Sequence, residues 1–351
     1  MKILLLCTDS YGGHGGIALY NRDLAEALAA RSDVEEVVIV PRITRSEVCG
    51  VPPKVTFHAD AANGPAHYLR AVMRARSAKP DLVICGHMNL LPVACSIARN
   101  PLLLVYGIEA WKPSRRALVN RLLHRTRAVI SISEITRQRL VAWSHYSGPT
   151  FLLPNAIHAG NYGIREKRPD LVARYKLEGK RVLLTVGRLA EEERYKGFDE
   201  IMEILRDLPD DVVYMIAGGG NDAVRLQQKA AHLGLGGRVV FTGIFPEEEK
   251  CDLYALADVY VMPSRGEGFG YVFLEALASG APVIGSKHDG GREALLNGEL
   301  GLLVDPANPA EIAAAIREVL DRPRERVIPP RLDFFSYENF KRRLSAIVDT
   351  I

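Results

Sequence analysis

Short apolar runs and amphipathic stretches alternate along the whole chain. Runs at 2–7, 36–40, 81–85, 102–106, 128–132 and 150–154 read as strands, and stretches at 17–30, 66–78, 113–125 and 134–145 read as the helices between them. The pattern then restarts. Strands are expected at 181–187, 212–217, 238–243, 258–263 and 281–285, and helices at 197–207, 221–233, 247–256, 271–279 and 309–320. Strands that alternate with helices of 3.6-residue periodicity belong to parallel sheets covered on both faces. Two such series predict an α/β protein with two doubly wound parallel sheets.

The joint between the series is the stretch LPNAIHAGNYGIREKRPD (153–170), rich in Gly, Pro, Asn and charge and lacking periodicity. The expected domains are 1–157 and 158–336. Ser336 is placed to cap a last helix with Phe340, Leu344, Ile347 and Val348 on one face. In open parallel sheets ligands bind beyond the carboxyl ends of the strands, so a cleft between the two sheets is the expected site.

Composition changes this picture little. The chain has 351 residues, 48% hydrophobic and 25% charged, which argues for folded domains and against disorder. Charge is uneven: residues 1–157 carry 19 Lys and Arg against 11 Asp and Glu, whereas the remainder is acidic. A basic first half suits an anionic partner, such as a membrane surface or a phosphorylated acceptor. The five scattered cysteines, with no C-x-x-C, read as buried reduced thiols in a cytoplasmic protein. The opening MKILLLC reads as a first strand, not a leader, and no apolar run approaches the length of a membrane span.

Three motifs carry candidate chemistry. The first is YGGHGGIALYNRDLAEAL, directly after the first strand. Gly12, Gly13, Gly15 and Gly16 precede a helix, where glycines allow close approach and free N–H groups favour an anion. Residues 13–18 also fit G-x-G-x-x-A, but the second strand ends in Pro41-Arg42 rather than an acid. That disfavours NAD and leaves NADP on Arg42 as a rival. A tight turn with no ligand is the plain alternative. The second motif is VGRLAEEERYKGF, with Arg188 at a strand end and Lys196 before the next helix. Two cations there suit a diphosphate; a solvated charged loop is the alternative.

The third motif is SRGEGFGYVFLEALASGAPV (264–283). Glu267 and Glu275 lie eight positions apart, which along a helix axis is roughly 12 Å. A glycosidase pair would stand about 5–10 Å apart across one bond. Two carboxylates gripping opposite ends of an elongated ligand fit better. The N–H groups of Gly268, Phe269, Gly270, Tyr271 and Val272 would face its negative middle.

This stretch resembles the E-x7-E signature of the retaining, nucleotide-sugar-dependent family 4 glycosyltransferases of the GT-B fold. GGIALYNRDLAEAL, GIEAW, LPNAI, VGRL…KGFDE, DVYVMPSRGEGFGYVFLEALASGAPVIGS and GLLVDP extend the likeness over nearly the whole chain. The resemblance implies two Rossmann-like domains facing a central cleft. The second would bind the nucleotide sugar. The first would bind the acceptor, with the helix at 337–351 packed back on it. Glu275 would hold the ribose, Glu267 the donor sugar, and Arg188 and Lys196 the diphosphate. Gly268, Phe269 and Gly270 would offer backbone donors, and Gly15 and Gly16 would close on the diphosphate from the first domain. Tyr106 and Glu109, in VYGIEAW, would lie near the donor sugar or the acceptor.

The chain departs from the family pattern at three places. Tyr106 replaces a His that many relatives carry. Arg188 and Lys196 are spaced more widely than in many relatives, so EEERY must loop out if both are to reach one anion. Ala156 and His158 alter the PNGVD-like hinge. No D-x-D triplet is present, so the two cations are expected to act in place of a metal, and no cofactor is expected. The stretch 111–128 carries Lys112, Arg115, Arg116, Arg121, Arg125 and Arg127 with no acid, and Leu118, Val119, Leu122 and Leu123 on its apolar side. It could lie on an anionic bilayer or be an ordinary packed helix; nucleic acid is not expected.

The resulting expectation is a metal-independent retaining glycosyltransferase. It would move a hexosyl group from a UDP- or GDP-sugar to a glycan or polyprenyl-linked acceptor, forming an α-linkage in cell-surface polysaccharide synthesis. It would work in the cytoplasm, at the inner membrane face. The rivals are a non-catalytic nucleotide-sugar-binding partner, an NADP-dependent oxidoreductase and a GT-B epimerase.

Overall fold

The computed structural model describes residues 1–323 and 325–351. The chain divides into two compact units: unit 1 is Met1–Ala156 with Phe335–Ile351, and unit 2 is Ile157–Phe334. The division falls inside the 153–170 stretch.

Unit 1 is built on seven strands: β1 (Lys2–Cys7), β2 (Glu36–Pro41), β3 (Val55–Phe57), β4 (Leu82–Gly86), β5 (Leu102–Val105), β6 (Ala128–Ser131) and β7 (Thr150–Leu152). Their order is β3-β2-β1-β4-β5-β6-β7, and every pair is parallel. β1 is flanked on both sides and covered on both faces, which is why Ile3 to Cys7 are apolar without alternation and wholly buried. Leu4, Leu6, Val83, Leu103 and Val129 share one core with Tyr68, Leu91 and Leu123 from the covering helices. The terminal helix Tyr337–Thr350 is capped by Ser336, whose side chain accepts from the Asn339 N–H. Phe340 packs edge-on against Tyr20 of the helix Gly16–Ala29.

Unit 2 has six parallel strands: β8 (Arg181–Val186), β9 (Val212–Ala217), β10 (Val239–Gly243), β11 (Val259–Val261), β12 (Val283–Ser286) and β13 (Leu302–Val304). The order is β10-β9-β8-β11-β12-β13. In both sheets the winding reverses beside the first strand, at β1/β4 and at β8/β11. Loops that leave those strands diverge to opposite sides and open a crevice.

The differences from the sequence reading are local. Edge strands β3 and β13 and the helix Leu91–Ile97 were not expected; each is too short to establish a period. The helix expected over 113–125 shrinks to Ala117–Leu123. Val119, Leu122 and Leu123 are buried, with only Leu118 of the expected apolar side exposed. That side is core, so a membrane contact at 111–128 would rest on the basic residues. All five cysteines are unpaired, but Cys49 is exposed, against the expectation of burial. Among the described residues no helix is long and apolar enough to cross a membrane.

Candidate active site

In unit 2 the expected residues gather at the carboxyl ends of the two central strands. Gly187 and Arg188 follow β8, and the loop Pro263–Gly270 follows β11. Lys196 turns back toward the end of β8: a side chain at Gly187 would meet its Nζ at 3.0 Å. The EEERY residues neither dangle nor extend. Residues Glu191–Lys196 form 3-10 turns broken at Glu193 (φ −110°, ψ 19°). The turn is anchored where Asn221 accepts from the Glu191 N–H at 3.0 Å and Arg194 donates to Asp222 at 2.6 Å. Arg225 and Arg194 together hold Asp222 at about 2, well below the usual carboxylate range.

This fold-back places Glu193 between the two cations. Its carboxylate pairs with Arg188 through one oxygen and lies 2.6 Å from Lys196 Nζ through the other. Lys196 also acts on Glu267, whose carboxyl is raised by burial, with Lys196 opposing and Glu193 adding to the rise. Glu267 is half-buried, and its carboxyl accepts hydrogen bonds from the backbone N–H groups of Phe269 and Gly268. Two of the amides expected to face a ligand therefore hold the Glu267 side chain in this structure. The helix Tyr271–Ala278 begins after Gly270 (φ 91°), a residue that offers no side-chain cap.

Glu275, on that helix, is buried. Lys250 Nζ lies 2.7 Å from its Oε1, and the Tyr254 hydroxyl donates to its Oε2 at 2.7 Å. Tyr162 hydrogen-bonds the same carboxylate. A carboxylate offers about four acceptor positions, so these partners hold it in place and leave capacity for a further hydroxyl.

Asp289 was missed by the sequence reading. It is fully buried after β12, where it accepts from the Ser264 hydroxyl (2.6 Å), the Glu267 N–H (2.9 Å) and the Gly291 N–H (3.0 Å). Burial pushes its carboxyl up to about 7. Gly290 completes the clamp: its N–H donates to the Glu267 carbonyl at 2.8 Å, and a Cβ there would sit 2.0 Å from the Gly268 oxygen. The available signal was HDGG directly after a strand, the same strand–glycine pattern that marks residues 12–16. Lys250, Tyr254 and Tyr162 carried no comparable signal, because they reach Glu275 only through packing.

Unit 1 behaves differently. Gly15 (φ 91°) and Gly16 stand exposed at the start of the helix Gly16–Ala29, again without a side-chain cap. Beneath them Asp9 is buried and raised by that burial; a Cβ on Gly13 would lie 1.7 Å from its Oδ1. Tyr106 is 6% exposed. Its hydroxyl donates to Asn21 Oδ1 at 2.7 Å, and Asn21 in turn donates to the Asp9 carbonyl at 2.8 Å. Glu109 accepts from the Tyr106 N–H at 2.5 Å and from the N–H groups of Gly107 and Glu109. Both side chains that the resemblance aims at a sugar are thus engaged within unit 1, where they brace the turn after β5. Arg42, the rival NADP residue, lies over the Tyr68 ring at 4.8 Å. Among the described residues no three His, Cys, Asp or Glu side chains are grouped as a metal site.

Comparison with known proteins agrees with this architecture. Residues 14–160 match the family described as Glycosyltransferase Family 4, and residues 167–329 match Glycosyl transferases group 1. The GDP-mannose-dependent alpha-(1-6)-phosphatidylinositol monomannoside mannosyltransferase of Mycobacterium tuberculosis is 30% identical over 352 residues, covering 92% of this chain and 90% of that protein. The Mycolicibacterium smegmatis protein of the same name is 32% identical over 224 residues, covering 60% of this chain and 58% of that one. Among solved structures, Anabaena HepE in complex with UDP-glucose superposes with a TM-score of 0.77 at 20% identity, covering 100% of both chains. A near-full-length relative, a family match within each unit and the shared two-sheet architecture place this chain among the family 4 glycosyltransferases of the GT-B fold.

Proposed function

We propose that this chain transfers a hexosyl group from a nucleoside-diphosphate sugar to a hydroxyl of a glycan or lipid-linked acceptor, with retention, giving an α-linkage. The observation that carries this reading is the gathering of Arg188, Lys196 and Glu267 at the ends of β8 and β11, with Glu275 held by Lys250 and Tyr254 on the helix that follows β11. Glu275, positioned by Lys250 and Tyr254, takes the ribose hydroxyls. Glu267, clamped through Asp289 and Gly290, takes hydroxyls of the sugar. Arg188 and Lys196 neutralise the diphosphate.

In the reaction the bond from the sugar C1 to the diphosphate oxygen breaks, and its electron pair stays on the phosphate. The acceptor hydroxyl attacks C1 on the same face, and its proton passes to the departing phosphate oxygen. This route suits a site whose Glu267 carboxyl is already held by the Phe269 and Gly268 amides, because those hydrogen bonds occupy its oxygens. Catalysis then rests on position and on cations aimed at the growing negative charge. With two cations in that role, transfer proceeds without a metal. The mycobacterial relatives use GDP-mannose by name and HepE was solved with UDP-glucose, so these two donors are the first to test. Unit 1 takes the acceptor, and its basic surface suits one carried on an anionic membrane in cell-surface glycan synthesis.

The test is titration calorimetry with GDP-mannose and UDP-glucose in EDTA, followed by nucleotide release and NMR of the product's anomeric proton. One donor is expected to bind, Glu275→Gln to abolish that binding, and the new linkage to be α. Binding of neither donor, or a β-linked product, sinks the proposal.

A further inference from the structure

Arg188 and Lys196 already have an anion between them. The two oxygens of Glu193 bridge the two cations, one to each. A carboxylate in that position presents what one phosphate of a diphosphate would present: two oxygens sharing negative charge, each beside a cation. The bridge is not a chance meeting on a loose surface. The Lys196 and Glu193 side chains keep only 13% and 12% of their exposure. The turn is tied to neighbouring segments through Glu191 to Asn221, Arg194 to Asp222, and the Arg265 N–H to the Tyr195 carbonyl at 2.8 Å. A side chain on Gly266 would meet the Tyr195 ring at 2.9 Å, so the turn is packed against the loop that carries Glu267.

We propose that Glu193 is a built-in competitor for the diphosphate and thereby sets the affinity an anion needs to occupy the donor site; this rests on the reading that Arg188 and Lys196 take the diphosphate. A carboxylate carries one charge and two oxygens. Inorganic phosphate or a nucleoside monophosphate carries up to about two charges, but on a single phosphorus, and displaces it less readily. A nucleoside diphosphate carries more charge, has oxygens enough for both cations, and displaces it. Glu193 then turns outward to water, as its Arg188 partner, 70% exposed, already permits. When the sugar has left, Glu193 competes for the cations again and speeds release of the nucleotide product.

The experiment measures binding of GDP, UDP, inorganic pyrophosphate and inorganic phosphate by calorimetry in EDTA, for wild type, Glu193→Gln, Arg188→Ala and Lys196→Ala. Glu193→Ser is a second variant, with the same expected direction, should Gln disturb the turn. For the nucleotide that wild type binds, and for pyrophosphate, Glu193→Gln is expected to tighten binding about tenfold. Inorganic phosphate is expected to gain by no more than the same factor, because the cost of freeing the two cations is common to every ligand. Stopped-flow release of the nucleotide is expected to slow in step. If Arg188→Ala and Lys196→Ala weaken diphosphate binding while Glu193→Gln leaves it unchanged or weaker, Glu193 merely holds the cations and the competitor role is overturned. If neither cation variant affects diphosphate binding, the assignment of the cations itself fails, and this proposal with it.

Discussion

In each unit the central strand β1 or β8 runs into glycine ahead of a helix, yet the two build different chemistry from it. After β1, Gly15 and Gly16 leave a bare helix start, and the buried carboxyl of Asp9 lies against the neighbouring Gly13, with Arg45, His14 and Arg22 acting on it. Asp9 Oδ1, Ser10 Oγ, Arg22 Nε and Thr44 Oγ1, all in this region, are buried without a hydrogen-bond partner among the described residues. After β8, a single glycine is followed by Arg188, and the chain folds back to bring Lys196 beside the strand end. Glycines only clear space for an anion. What favours an anion there is charge that later residues deliver. A glycine pattern alone is therefore weaker grounds for a phosphate site than a pair of cations that converge.

The sharpest way to break this comparison is to remove the charge in one unit and the glycine in the other. Lys196→Ala is expected to lower the rate of donor turnover by about 10²–10³, the usual cost of losing one group that stabilises developing negative charge. Gly15→Ala forces a side chain into φ 91°, ψ 178° but meets nothing within 4 Å, so a stability loss of about 1–3 kcal/mol and a far smaller rate effect are expected. Steady-state nucleotide release with thermal melts checks both, and equal rate losses would erase the distinction between the units.

A medium effect is expected from Asp289, whose folded-state carboxyl sits at about 7. Below about pH 4, near the usual Asp value, it is protonated in both folded and unfolded chains. Between about 4 and 7 the folded protein keeps a proton that the unfolded chain has lost, so this group's contribution to stability falls as pH rises through that window. Asp289→Asn is expected to remove that slope. The wild-type melting temperature should therefore lead the variant's by more at pH 5 than at pH 8. Parallel pH curves would show that the loop clamp does not titrate there.

The smallest effect belongs to Tyr106. Tyr106→Phe leaves Asn21 Oδ1 without its donor and should cost about 1–2 kcal/mol of stability. With its O–H already donating to Asn21 Oδ1, the hydroxyl is expected to matter little to turnover, and kcat/KM should stay within about threefold, under about 0.7 kcal/mol. A large kcat/KM loss with an unchanged melting temperature would return this residue to the site.

Much of the candidate site was legible because its residues are close in sequence or lie directly at strand ends. Glu267 and Glu275 share one loop and one helix, and Arg188 immediately follows the β8 glycine. The residues that hold them were not legible. Asp289 reaches Ser264 and the Glu267 N–H from the other side of β12, and Lys250 and Tyr254 reach Glu275 from a separate helix. The same limit explains the 111–128 stretch. Its charges could be counted, but whether Val119, Leu122 and Leu123 faced a bilayer or the core of unit 1 depended on what packed above them.

Periodicity and glycine placement by themselves determined the two parallel sheets, the joint between them and the strand ends that carry the candidate site, because these follow from local spacing. The tertiary structure alone decided that Glu193 folds between Arg188 and Lys196, that Tyr106 and Glu109 brace a turn, and that a buried Asp289 fastens the loop of Glu267. The physical reason is that hydrogen bonds and ion pairs depend on distance in space. The partners concerned are brought within 3 Å of one another only once the sheets have assembled.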